Sequence, residues 1–183
     1  LPHRLSDYLS GTEHIFFRIG KHPKVEPLVL NFLSQELDRS ARSGSLPMGL
    51  HSPCSVLHKL RLRKDPWEIS RMREAAFISS KAHELARKAT RAQMNEREIQ
   101  AIIEKSFLEQ GARGPAYSSI VAGGKNACIL HYTSNHSLLQ DRELLLIDAG
   151  CSLDDYYNAD ITRTFPINGK FTGEQKALYE IVL

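Results

Sequence analysis

The run Leu144-Leu-Leu-Ile-Asp-Ala-Gly150, followed by Asp160-Ile-Thr-Arg-Thr-Phe-Pro166, constrains this chain more than any other stretch. The apolar residues read as a buried strand that ends on a carboxylate, Asp148. After a short polar segment a second carboxylate, Asp160, opens an alternating strand. Two strands joined so closely make a hairpin, and two Asp at its strand ends can face one point in space. A buried lone carboxylate is costly. Each Asp must therefore be hydrogen-bonded, paired with arginine or bound to a cation. Spacing alone leaves open a turn at Asp148 and an ion pair between Asp160 and Arg163. Oxygen donors without cysteine would favour a hard or borderline cation such as manganese, magnesium or cobalt.

Periodicity supplies the elements around this hairpin. Leu5 to Leu9 reads as a short helix stopped by Gly11, His14 to Ile19 as a buried strand, and Val25 to Arg42 as a helix. The segment Ser43-Gly-Ser-Leu-Pro-Met-Gly49 breaks structure, which suggests a linker near residues 43–55. Val56 to Leu62 reads as a strand. Asp65-Pro-Trp-Glu68 has the residues of a capping box with proline in the first turn. The helix it opens should run to Thr90 with Ile69, Met72, Ala76, Ser79, His83 and Ala86 inward. A second helix starts at Asn95-Glu-Arg-Glu98, turns Ile99, Ile102, Ile103 and Phe107 inward, and stops at Gly111. Strands follow at 117–121, 128–132, 144–147, 152–157 and 161–165, with Gly123-Gly124 as a hairpin turn. Thr172-Gly-Glu-Gln175 caps a last helix. Helices, then a run of strands, argue for an α+β fold with an antiparallel sheet.

Composition narrows the class of function. The 183 residues carry a net charge of only +3, with basic residues dispersed except for Lys59 to Lys64. That cluster reads as a solvated strand end, and no nucleic-acid motif accompanies it. No apolar stretch approaches the ~20 residues of a membrane span. Three scattered cysteines suggest neither a zinc site nor a disulfide framework, and a reducing compartment is expected. Asn135-His-Ser137 matches a glycosylation sequon and reads as a chance match in an intracellular chain. The chain begins with Leu1, so it reads as a piece of a longer protein. Gly123-Gly-Lys-Asn126 lacks the upstream glycine and the terminal Ser or Thr of a phosphate loop. His83 reads as structural. His131, alone among apolar neighbours, reads more readily as a core residue than as a catalytic one.

The combination of Ile129-Leu-His-Tyr-Thr133, Leu144-Leu-Leu-Ile-Asp-Ala-Gly-Cys151 and Asp160-Ile-Thr-Arg-Thr-Phe-Pro-Ile-Asn-Gly-Lys-Phe-Thr172 resembles the pita-bread metallopeptidases. Among these it is most similar to the Xaa-Pro aminopeptidases. Leu60 to Ile69 and Gly111 to Tyr117 share the likeness. It is close over residues 56–183 and loose before them. The resemblance implies that residues 1–55 end a creatinase-like N-terminal α/β domain, and that 56–183 form the first, truncated part of a pita-bread catalytic domain. It implies two manganese ions held by two Asp, one His and two Glu. Asp148 falls on an Asp that binds one metal and Asp160 on the Asp that bridges both. His131 falls on a histidine beside the substrate, in the catalytic machinery. The remaining His and Glu ligands are expected beyond Leu183, so this chain alone should be inactive. The implied reaction is metal-assisted hydrolysis that releases the residue preceding a proline in second position. A Xaa-Pro dipeptidase and a non-catalytic peptide-binding module are the alternatives. The implied partners are Xaa-Pro peptides and further copies of the chain, with no nucleic acid and no membrane, in the cytoplasm or the mitochondrion. One departure stands out. Eleven residues separate the two Asp where the family has ten, so the hairpin should have a larger turn or a bulge, or its register should slip and turn Asp160 away.

Overall fold

The computed structural model describes residues 5–9, 11–43 and 49–183, without the side chains of residues 6 and 40–43. They divide into two compact units, one up to Lys64 and one from Asp65. The expected linker lay at 43–55, and residues 44–48 of it fall outside the described set.

The first unit contains α1 (Leu5–Leu9), β1 (His14–Phe16), α2 (Glu26–Ser43), β2 (Gly49–His51) and α3 (Cys54–Leu62). β1 and β2 pair in parallel, joined through α2 as a βαβ unit. Ile15 from the strand and Val29, Phe32 and Leu33 from one face of α2 make its small core. β1 is shorter than the sequence suggests, and only Ile15 in it is buried. Val56 to Leu62 is helix, not strand. Val56, Leu57 and Leu60 satisfy helical spacing as well as strand spacing, Pro53 stands at the helix start, and Lys59 and Arg61 suit the helix C-terminus. None of these residues is buried, so no core contact imposes the strand period.

The second unit sets two long helices against a sheet. α4 (Pro66–Ala89) begins in the expected capping box: Asp65 accepts from Glu68 N–H, and the Glu68 carboxylate accepts from Asp65 N–H. α5 (Glu96–Glu109) begins in a second box, Asn95 with Glu98. The buried stripe of α4 is Ala75, Ile78, Ser79, Ala82, His83 and Ala86. Ser79, His83 and Ala86 are buried as expected, whereas Ile69, Met72 and Ala76 lie exposed and Ala75, Ile78 and Ala82 take their place. Small residues on that stripe let α4 approach α5, whose Ile99, Ile103 and Phe107 are fully buried. Each of those three side chains contributes about 1.5–3 kcal/mol by leaving water. α5 ends at Gly111, whose φ of 86° needs no Cβ.

The sheet has β4 (Ile120–Gly123), β5 (Leu144–Asp148) and β7 (Thr162–Pro166) in the order β4-β5-β7, all antiparallel. Beside it β3 (Gly114–Pro115) pairs with β6 (Cys151–Ser152). β5 alternates: Leu145 and Ile147 are fully buried in the core with the helices. Leu146 lies on the opposite face with Ile120, Ala122 and Tyr132. α6 (Gly173–Val182) opens in the expected Thr172–Gln175 capping box. Two expected strands are absent. Residues 124–128 form a 3-10 helix, with Gly124 at φ 52° opening it rather than making a tight hairpin, and Ile129 to His131 form an exposed turn. Residues 152–157 contribute one strand residue and then the tip of the Asp148–Asp160 hairpin.

Candidate metal centre

The backbone between the two Asp continues the register of β5 and β7 without a bulge. Asp148 pairs with Thr162. Ala149 N–H then donates to Ile161 O, Ala159 N–H to Cys151 O, and Leu153 N–H to Tyr157 O. Every pair moves equally far down both strands, so the eleven intervening residues are absorbed at the tip, where Tyr156 takes φ 66°. Asp160 therefore stands opposite Gly150, two residues from Asp148 on the same face of the hairpin. A Cβ on Gly150 would lie 1.8 Å from Ala159 O, so only glycine allows the two strands this approach.

A third strand segment supplies the group between the carboxylates. Arg113 N–H donates to Ser152 O and Ala116 N–H to Gly150 O, which brings residues 113–117 alongside the hairpin. The hydroxyl of Tyr117 then lies 2.6 Å from Asp148 Oδ1 and 2.9 Å from Asp160 Oδ1. Burial first, then the two carboxylates, push the Tyr117 hydroxyl far above the ordinary phenol range, so it stays protonated. Its single hydrogen serves one carboxylate at a time. Among the described residues no Lys or Arg pairs with Asp148 or Asp160. Arg163 instead donates to Thr162 O, which disposes of the Asp160–Arg163 pairing. Two uncompensated carboxylates converging on one point form an oxygen donor set that fits a divalent cation. No cluster of three or more metal-ligating side chains occurs among the described residues.

Helix α4 fixes the hairpin from the core side. His83 Nε2 donates to Ala149 O at 2.9 Å, and Ser79 Oγ accepts from Cys151 N–H at 2.9 Å. Burial lowers the His83 value below the ordinary imidazole range, against the opposing effect of the bond to Ala149 O. Because Ala149 O can only accept, Nε2 carries the hydrogen, and the buried Nδ1 has no hydrogen-bond partner among the described residues. At the tip, Tyr157 donates to Glu68 at 2.7 Å and stacks edge-on against Trp67.

The sequence-derived residues separate into two groups. Asp148 and Asp160 meet at Tyr117. His131 lies on the exposed turn with φ 55°, and no hydrogen bond joins it to either Asp. Tyr117 escaped the sequence reading as a site residue because a lone tyrosine carries no spacing signal, and only the β3–β6 pairing aims it. Asn135 of the sequon is 1% exposed, with its amide bonded to Val121 N–H, Gln100 and Ser119 O, so it offers no acceptor for a glycan.

The chain is 38% identical over 180 residues to the Xaa-Pro aminopeptidase of Escherichia coli, which covers 98% of this chain and 41% of that protein. It is 50% identical over 128 residues to the Xaa-Pro aminopeptidase of Haemophilus influenzae, covering 70% of this chain and 30% of the relative. Proline aminopeptidase P II from Yersinia pestis superposes with a TM-score of 0.89 at 41% identity, over 99% of this chain and 41% of that one. The chain thus spans less than half the length of these relatives. A zinc-substituted Escherichia coli aminopeptidase P in complex with product has the same fold, with a TM-score of 0.89 at 38% identity. Residues 70–183 match the model of metallopeptidase family M24, and with the pita-bread architecture of its structural neighbours this places the chain in that family.

Proposed function

We propose that this chain is part of a Xaa-Pro aminopeptidase, a metallopeptidase that releases the first residue of a peptide when proline is second. The observation that carries the reading is the convergence of Asp148 and Asp160 on one hydroxyl without a basic partner. Asp148 and Asp160 would hold divalent cations, manganese by preference, with Asp160 shared between two. Bound there, the cations would supply a Lewis acid for the peptide carbonyl and an activated water. The chain's own residues do the rest: Gly150 keeps the carboxylates adjacent, Tyr117 orients them, and His131 stands on the substrate side. The likeness to Xaa-Pro aminopeptidases of Escherichia coli and Haemophilus influenzae supports the aminopeptidase over the dipeptidase. Residues 1–55 belong in this reading to an N-terminal domain, and the protein acts as a homo-oligomer in the cytoplasm.

The test is an assay of the full-length protein with manganese and a Xaa-Pro-Xaa peptide beside a Xaa-Pro dipeptide. Release of the first residue from the longer peptide, abolished in Asp148→Ala, is the expected result. Cleavage of the dipeptide alone would make the protein a dipeptidase. Manganese bound without cleavage of either would make it a binding module. Two-site manganese binding that survives Asp160→Ala would remove the bridging role.

A further inference from the structure

The segment between β4 and β5 carries His131, and it pairs with neighbouring backbone only at Ser137 to Leu139, against Gln93 to Glu96; the stretch around His131 has no such pairing. Its conformation converges instead on one carboxylate. Glu96, in the first turn of α5, is fully buried. Its Oε1 accepts from Gly123 N–H at 2.8 Å and from Asn126 Nδ2 at 3.0 Å. Its Oε2 accepts from Tyr132 Oη at 2.8 Å and from Ser137 N–H at 2.9 Å. These four donors come from the start, middle and end of the segment. Asn126 Nδ2 also lies 3.1 Å from Tyr132 Oη and 3.0 Å from Ser137 Oγ, which ties the donors to one another.

The exposed turn Ile129 to His131 is bracketed by Asn126 and Tyr132, both bound to Glu96. His131 itself takes φ 55°, a conformation that a β-carbon disfavours and that surrounding structure must impose. Those constraints reach His131 through its neighbour Tyr132. A buried carboxylate is tolerated where its lone pairs are satisfied, and here all four sites are used. A glutamine in its place would turn amide hydrogens toward two of the four donors.

We propose that Glu96 is the positioning residue for His131: it fixes the turn that presents the imidazole to the peptide. This rests on the reading of His131 as a substrate-side group. A double-mutant cycle in the full-length enzyme tests it, with kcat/KM for a Xaa-Pro-Xaa peptide measured for the parent, Glu96→Gln, His131→Ala and the double variant. Tyr132→Phe, which removes one donor of four, serves as the milder second variant, and thermal melts establish that each protein is folded. Glu96→Gln is expected to lower kcat/KM about ten- to a hundredfold in the parent, and less than about twofold when His131 is already alanine. Tyr132→Phe should show a smaller loss with the same dependence on His131. Equal losses from Glu96→Gln in both backgrounds would overturn the proposal, since a purely structural defect is indifferent to His131. His131→Ala with the parent's kcat/KM would overturn the reading of His131 beneath it, a distinct result.

Discussion

At the scale of single residues, Gly150 decides whether two carboxylates can share a point. The Cβ of an alanine there would meet the Ala159 carbonyl, a backbone atom that cannot swing aside. Gly150→Ala should cost about 3 kcal/mol or more, read as a lowered urea midpoint, and should weaken manganese binding with it. His83 makes a second prediction. Its value is lowered in the folded state by burial, so the unfolded chain binds the proton more readily. Stability is therefore unaffected well above the ordinary imidazole value of about 6.5, and falls as pH drops below it. Urea midpoints between pH 8 and 5 should decline, and His83→Gln, which keeps a donor for Ala149 O, should flatten that decline. An undiminished slope in the variant would assign it to other groups.

At the scale of elements, α4 is the part on which the hairpin depends. Its capping box fixes where it starts, and its stripe of Ala75, Ser79, Ala82 and His83 both packs α5 and bonds the backbone at Ala149 and Cys151. Asp65→Ala removes the cap acceptor for Glu68 N–H and should cost about 1 kcal/mol, measured by denaturant unfolding. The capping residues were legible because caps are local chemistry. The stripe was legible at Ser79, His83 and Ala86 and misread in its first half, since Ile69 and Met72 are apolar yet exposed while Ala75 and Ala82 are small and buried. Hydrophobicity ranks residues by transfer energy, whereas close helix approach selects them by size.

At the scale of the whole molecule, the chain exposes large apolar side chains on α6 and at its end: Leu178 at 62%, Ile181 at 82%, Val182 at 81% and Leu183 at 91%. Leu178, Ile181 and Val182 stand at i, i+3 and i+4 and so share one face of α6, and exposed apolar surface promotes association. The 183-residue chain should sediment as larger species with rising concentration, and Leu178→Lys with Ile181→Lys should shift it toward monomer. Unchanged sedimentation in that variant would place the contact elsewhere.

The sequence by itself determined the α+β class, three capping boxes, the buried strand β5 and the two Asp as a pair, because each is written in local spacing or in a motif of adjacent residues. Tertiary structure decided what spacing leaves open. It made Val56 to Leu62 a helix where no core contact imposes a strand, and it replaced a strand at 128–132 with a segment held by Glu96, forty-one residues from its Ser137 partner. It also kept the register through eleven residues between the carboxylates, so that Asp160, opposite Gly150, lies on the same face of the hairpin as Asp148. Register depends on every pairing along the hairpin and on the close approach at Gly150, and no count of intervening residues contains that information.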